Sequence, residues 1–192
     1  MKQPVIRSYL YVPGSNQHML EKAMSTDADA LILDLEDAVA PNRKVEARHN
    51  VAQVLQIQPV KPLFVRINAI NSGLAMDDIA EVAGPWLTGL RLPKTEKPEE
   101  VHLVAEQLDR LGCQAGIQCV IESAIGVERA YEIASAHPRI TTLGVGEADL
   151  AADLGISTED GFAYIRSRIV VAARAAGLAP PVQSVYTNIR DL

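Results

Sequence analysis

The sequence is poor in cysteine, in positive charge and in long hydrophobic runs. Its two cysteines, Cys113 and Cys119, offer no disulfide framework, which is typical of a protein from a reducing cytoplasm. The formal net charge of −6 gives no broad basic surface, so nucleic acid is not an expected partner. No apolar run approaches the ~20 residues of a membrane-spanning helix, and the N-terminal run is too short for a signal peptide. We therefore expect a cytoplasmic globular protein that does not bind membranes and that holds any anionic substrate with a few arginines or a metal ion.

Short apolar runs rich in β-branched residues alternate with amphipathic helical stretches along the whole chain. The intervals are close to the ~30 residues of a strand–helix–strand unit. Several runs are apolar at consecutive positions, as in Leu31-Ile32-Leu33, and this pattern predicts strands buried on both faces of a parallel sheet. The predicted strands are Tyr9–Val12, Ala30–Leu35, Leu63–Ile67, Gly89–Leu92, Ala115–Ile121, Thr142–Val145 and Gln183–Tyr186.

Helix start and stop signals lie between these strands. Asn16 is suited to cap one helix, and Gly112 and Gly177 follow the ends of two others. The predicted helices are Asn16–Met24, Lys44–Leu55, Glu99–Leu111, Val127–Ala136 and Thr158–Ala176.

This order of elements predicts an α/β fold of the TIM (β/α)8 barrel type. An open nucleotide-binding sheet is less well supported, because the first turn, Pro13-Gly14-Ser15, lacks the glycine-rich phosphate fingerprint. A complete barrel usually takes ~250 residues, whereas this chain has 192 and stops just after the seventh strand. We therefore expect a single barrel domain over 1–192 that is C-terminally incomplete, without its last strand and C-terminal helices.

Charged residues follow the predicted strands at the ends where parallel barrels build their active sites. Acids outnumber bases in this set, and a divalent cation would neutralise the excess; a structural ring of ion pairs is the alternative reading. The residues are Asp34, Glu36, Asp37, Arg66, Lys94, Glu122 and Asp149.

Glu122 and Asp149 are the best candidates for metal ligands, since they follow neighbouring strands. Carboxylates without cysteine or clustered histidine favour Mg²⁺ over Zn²⁺. Arg66 is suited to hold a substrate carboxylate with its planar guanidinium.

Glu36 and Asp37 are candidates for acid–base catalysis, because neighbouring like charges raise a carboxyl pKa. For Asp37 the alternative is a salt bridge to Lys44, Arg43 or Arg48. Lys94 is a candidate Schiff-base nucleophile, or an ion-pair partner of the acids around it.

The motifs, in their order, resemble those of the HpcH/HpaI aldolase/citrate lyase family, in its branch similar to the citrate lyase β-subunit. The resemblance runs over nearly the whole chain. The motifs that carry it are Arg7 to Gly14, Asp34 to Val39 followed by Lys44 and Arg48, Val65 to Asn68, Leu92 to Thr95, Ile121 to Ala124 with Gly126, and Gly146 to Leu150.

This resemblance implies a TIM barrel that uses Mg²⁺ to cleave or condense 3-hydroxy-acyl thioesters of the citryl-, citramalyl- or malyl-CoA type, yielding a keto acid and an acyl-CoA. By position, Glu122 and Asp149 correspond to metal ligands, Arg66 and Glu122 to the keto-acid pocket, and Glu36 and Asp37 to catalytic or supporting residues. A homo-oligomer is expected. The alternatives are a metal-dependent aldolase for free 2-keto acids, a Lys94 Schiff-base aldolase and a catalytically silent subunit that binds partners.

Overall fold

Two compact units make up the part of the chain that the computed structural model describes, residues 6–185. The first unit contains the residues up to Leu92 together with Val104–Gly116. The second contains Pro93–Leu103 and the residues from Ile117 onward. The expectation of one domain over 1–192 stays a prediction.

Parallel strands and helices alternate within these units, as the sequence predicts. The strands are β1 (Tyr9–Pro13), β2 (Ala30–Asp34), β3 (Leu63–Arg66) and β4 (Leu87–Leu92), followed by β5 (Gly116–Ile121) and β6 (Ile140–Val145). The helices are α1 (Gln17–Ala23), α2 (Lys44–Val54), α3 (Ala75–Val82), α4 (Pro98–Arg110), α5 (Ala124–Glu128), α6 (Ala130–Ala134), α7 (Glu147–Leu154) and α8 (Ala163–Ala175).

The four strands of the first unit pair in the order of the chain, and each pair is parallel. Every residue of β2 is buried, which confirms that this strand is covered on both faces. One face carries Ala30 and Ile32, which pack with Phe64, while the ring of Tyr9 meets the ring of Phe64 edge to face at 5.5 Å. Because side chains alternate along a strand, Asp34 lies on the same face of β2 as Ile32, at the carboxyl end.

The register sets three charged or polar side chains beside one another at this carboxyl end. Asp34 of β2 is the pairing partner of Arg66 in β3, and Arg66 is the partner of Arg91 in β4. In the second unit, Ile121 at the end of β5 pairs with Val145 at the end of β6. Glu122 and Gly146 are therefore the first residues beyond two neighbouring strand ends.

Six of the seven predicted strands are found, with ends that differ by a few residues. For the seventh, predicted at Gln183–Tyr186, the described residues show a single parallel bridge between Val182 and Gly144, and Tyr186 lies outside them. Helices α3 and α7 are not among the predicted helices. Neither has a side chain that caps its start, so the sequence carries no clear start signal for them. The stretch predicted as Val127–Ala136 forms two short helices, since Arg129 leaves the helical conformation between them.

None of the helices in residues 6–185 is long and apolar enough to cross a membrane. Cys113 and Cys119 are both buried and free, as expected for a chain without disulfides.

Candidate active site

In the first unit, Arg66 is held by the buried carboxylate of Asp34. The Nε and Nη2 atoms of Arg66 donate to the two oxygens of Asp34 at 2.7 and 2.6 Å. Asp34 is fully buried and also accepts the backbone N–H groups of Glu36 and Ala38, both at 3.0 Å. Charge-assisted bidentate pairs of this kind fix the plane of a guanidinium. Asp34 was predicted only as one of the charged residues that follow the strands, with no role of its own.

The other edge of Arg66 faces Glu36 and Asp37. Its Nη1 lies 3.2 Å from Glu36 Oε2 and 3.7 Å from Asp37 Oδ2. Burial by itself would lower the pKa of Arg66, but the hydrogen bonds and charge of Asp34, together with the other nearby groups, outweigh it and hold the pKa above its usual value. Arg66 therefore stays charged, and Nη1 is its edge that is not bonded to Asp34.

A tyrosine ring supports the guanidinium from its face. Arg66 Cζ lies 5.0 Å from the ring centroid of Tyr11, and Arg91 Cζ lies 5.7 Å from the same centroid. Burial raises the pKa of the Tyr11 phenol, although the two arginine charges oppose the shift. Sequence reasoning gave no role to Tyr11 or Arg91, and strand register is the signal that would have found Arg91 beside Arg66.

The loop that carries Glu36 and Asp37 is tied down by Lys44. The Lys44 ammonium donates to the carbonyl oxygens of Leu35 and Glu36, both at 2.7 Å. The side chain of Asp37 remains 57% exposed and that of Glu36 is 7% exposed, so Asp37 is the more accessible of the two carboxylates. A salt bridge found for Asp37 is to Arg66, at 3.7 Å, and Arg66 was not one of the three bases considered for it.

Two of the other bases weighed for Asp37 lie against different acids. Arg43 pairs with Glu46 at 2.7 Å, and Arg48 pairs with Asp78 at 2.8 Å.

In the second unit, Glu122 lies just beyond the end of β5, and its side chain is bonded to the backbone of Lys94. Its Oε1 accepts the backbone N–H of Lys94 at 2.5 Å, and the residue is 7% exposed. The N–H of Gly146 donates to the carbonyl of Ile121, which brings Gly146 against the Glu122 side chain. A Cβ atom on Gly146 would lie 2.6 Å from Cβ of Glu122, so position 146 has room only for glycine.

Asp149 lies in the first turn of α7, and its Oδ2 is 3.9 Å from the ammonium of Lys94. Glu122 and Asp149 thus both contact Lys94. Glu122 contacts the backbone N–H of Lys94, and Asp149 lies near its side-chain ammonium. Within residues 6–185 there is no cluster of three or more potential ligands among the histidines, cysteines and acids. Two carboxylates still fit Mg²⁺, which commonly takes one or two from a protein and completes its shell with water and substrate.

The sequence model of the HpcH/HpaI aldolase/citrate lyase family matches residues 7–192. A (3S)-malyl-CoA thioesterase of Cereibacter sphaeroides is 35% identical over 190 residues, covering 96% of this chain and 65% of that protein. The citrate lyase subunit beta of Leuconostoc mesenteroides is 34% identical over 197 residues, with the same coverage of 96% and 65%. The chain thus spans slightly less than two thirds of the length of these relatives.

A solved structure gives the same result for the fold. The protein CitE from Mycobacterium tuberculosis, in complex with magnesium, acetoacetate and coenzyme A, is 32% identical and superposes with a TM-score of 0.80 over 95% of this chain and 67% of that one. The likeness confirms the predicted α/β fold of the TIM-barrel type.

Proposed function

The chain belongs to the HpcH/HpaI aldolase/citrate lyase family, and from this premise we propose that it is a Mg²⁺-dependent carbon–carbon lyase. Its substrate would be a 3-hydroxyacyl-CoA of the citryl, citramalyl or malyl type, cleaved to a keto acid and an acyl-CoA. Relatives named for citrate lyase and malyl-CoA support the thioester. The CitE complex with magnesium, acetoacetate and coenzyme A supports the cation and the carrier.

Glu122 and Asp149 are the proposed ligands of the cation. The observation that carries the proposal is that Lys94 contacts both carboxylates, through its N–H and its ammonium, just beyond the ends of β5 and β6. When bound, Mg²⁺ would serve as a Lewis acid for the oxygens of the keto-acid half.

Arg66 would bind the carboxylate of the keto-acid half. Because Asp34 engages Nε and Nη2, the substrate would be held through Nη1, the edge that faces Glu36 and Asp37. The buried pair with Asp34 fixes this edge in advance, so little conformational entropy is lost when substrate binds. A role for Glu122 in binding the substrate, beside its role as a ligand, stays a prediction.

Asp37 and Glu36 would carry the proton transfer. In the cleavage direction a carboxylate would accept the proton of the 3-hydroxyl, the electrons of the breaking carbon–carbon bond would pass to the acyl-CoA half as its enolate, and that enolate would take up a proton to give the acyl-CoA. Condensation would run these steps in reverse. Glu36 is the closer of the two to Arg66 Nη1, but Asp37 is the more accessible, because its side chain is 57% exposed and that of Glu36 is 7% exposed.

Thioester hydrolysis is a second candidate, favoured by the name of the malyl-CoA thioesterase relative. One assay separates the two activities. Malyl-CoA is incubated with the protein and Mg²⁺, keto acid is measured as its phenylhydrazone, and free CoA thiol is measured with a disulfide reagent. A lyase releases keto acid without thiol, whereas a thioesterase releases thiol without keto acid.

Site variants then test the residue roles in the same assay. Asp149→Ala, Arg66→Met and Asp37→Asn should each lower keto-acid release at least tenfold. Asp160→Asn, which removes an exposed acid that has no proposed role, should leave it unchanged. Absence of both products with citryl-, citramalyl- and malyl-CoA would contradict the proposed catalysis and favour a silent subunit.

We further propose a cytoplasmic location and a homo-oligomer. The two free, buried cysteines are compatible with a reducing compartment. Light scattering during size-exclusion chromatography would give the number of copies, and a monomer at all concentrations would contradict the oligomer.

A further inference from the structure

Lys94 has an unusual backbone conformation. Among residues 6–185 it alone combines a side chain with a positive φ, 50°. The left-handed region is disfavoured for an L-residue that has a side chain, and such outliers concentrate at functional sites. Glycine adopts this conformation freely, so the presence of lysine at this position indicates that its side chain has a role.

The contacts of Lys94 indicate what this role is. Its backbone N–H donates to Oε1 of Glu122 at 2.5 Å, and its ammonium lies 3.9 Å from Oδ2 of Asp149. The Lys94 and Asp149 side chains are 41% and 44% exposed, so the ion pair is partly hydrated and able to open. The backbone bond, by contrast, ends on a carboxylate that is buried.

We propose that Lys94 is a positioning residue that keeps the cation site ready in the metal-free protein. Its left-handed backbone aims an N–H at Glu122, while its ammonium neutralises Asp149 until a divalent cation replaces it. This inference rests on the proposed function, in which Glu122 and Asp149 are the ligands.

The two halves of this role have opposite effects on metal affinity. The N–H group orients one ligand and therefore favours binding. The ammonium competes with the metal for the charge of Asp149, so its removal should strengthen binding. A residue that only supported the fold would weaken binding, or leave it unchanged, when its side chain was lost.

The test is a titration of the metal-free protein with Mn²⁺, in which electron paramagnetic resonance measures the free hexaaqua ion. Lys94→Met removes the ammonium, and Lys94→Asn removes it with a residue that tolerates the left-handed conformation well. Both should lower the dissociation constant roughly two- to fivefold, the factor expected for loss of an exposed ion pair.

Two further variants control for charge. Lys94→Arg keeps the cation and should not tighten binding. Lys97→Met removes the same charge from an exposed residue three positions along and should leave the dissociation constant near the wild-type value.

The outcomes separate this inference from the metal site itself. If wild type binds Mn²⁺ and neither Lys94→Met nor Lys94→Asn binds it more tightly, the role of Lys94 is overturned and the metal site stands. If neither wild type nor any variant binds Mn²⁺, both are overturned. Equal tightening in Lys97→Met would show a general charge effect and would also refute the competition.

Discussion

We expect the buried ion pair of Arg48 and Asp78 to stabilise the part of the first unit that carries Arg66. Arg48 Nε donates to Asp78 Oδ1 at 2.8 Å, and these side chains are 8% and 1% exposed. The other oxygen of Asp78 accepts the backbone N–H and the Nδ2 group of Asn68 at 2.8 and 2.7 Å. Since Asn68 follows β3 by two residues, Asp78 fixes the segment that continues from Arg66.

The structure sets the magnitude for each partner. Asp78→Ala would leave the buried Arg48 charge with the exposed Asp77, 3.9 Å away, and the Nη2 group of Arg48 already lacks a hydrogen-bond partner among the described residues. Breaking a buried pair in this way costs about 3 to 5 kcal/mol of unfolding free energy. Arg48→Met should cost about 2 kcal/mol, because Asp78 keeps its two bonds from Asn68. The double variant should cost less than the two single costs added together, by at least ~1 kcal/mol.

Urea unfolding monitored by the fluorescence of Trp86 measures these changes, because this single tryptophan belongs to the first unit, as do Arg48 and Asp78. A loss of 3 to 5 kcal/mol in the free energy of unfolding lowers the urea concentration at the midpoint by ~2 M. The exposed pair of Glu106 and Arg110, 3.2 Å apart, is the matched control, and Glu106→Ala should not shift the midpoint measurably. Additive costs, or an Asp78→Ala midpoint equal to wild type, would refute the reasoning.

Three other predictions test the site and its surroundings. Gly146→Ala should weaken Mn²⁺ binding at least tenfold and lower stability by about 1 to 3 kcal/mol, because the methyl group displaces Glu122; unchanged Mn²⁺ titrations would contradict it. Asp34→Asn should raise the KM for the thioester more than it lowers kcat, since Arg66 loses its charged anchor; an unchanged KM in steady-state assays would oppose this. Burial raises the pKa of the Cys119 thiol to about 12, above its ordinary value of 9.0. Burial of the neutral thiol therefore contributes fully to the unfolding free energy below pH 9, and this contribution is lost between pH 9 and 12. Urea titrations of Cys119→Ala should not show this loss.

The alternation of apolar runs and helical stretches was enough to predict the parallel strands. Residues such as Leu31, Ile32 and Leu33 are buried on both faces of β2, and a consecutive apolar run permits little else. The predicted grouping of acids after strands is likewise local, because each follows its own strand directly. Helix α3 shows the limit of this reasoning, since its start has no side-chain cap and its packing decides its existence.

The family and the chemical types at the site were also legible in the chain. Arg66, Glu122 and Asp149 were selected from the sequence, and the family was confirmed by the comparisons. Their roles stay predictions, because the structure shows their surroundings and not their ligands.

The order of strands and helices, and the charged residues that end the strands, could be predicted from the chain because both depend on neighbours in sequence. Which acid pairs with which base depends on contacts between distant segments of the folded protein. Asp34 and Arg66 are 32 positions apart and meet because β2 and β3 pair in one register. Lys94 meets Glu122, 28 positions later, through a left-handed backbone that no local propensity favours for lysine. Such pairings depend on strand register and on packing between distant segments, and a one-residue slip would remove them all.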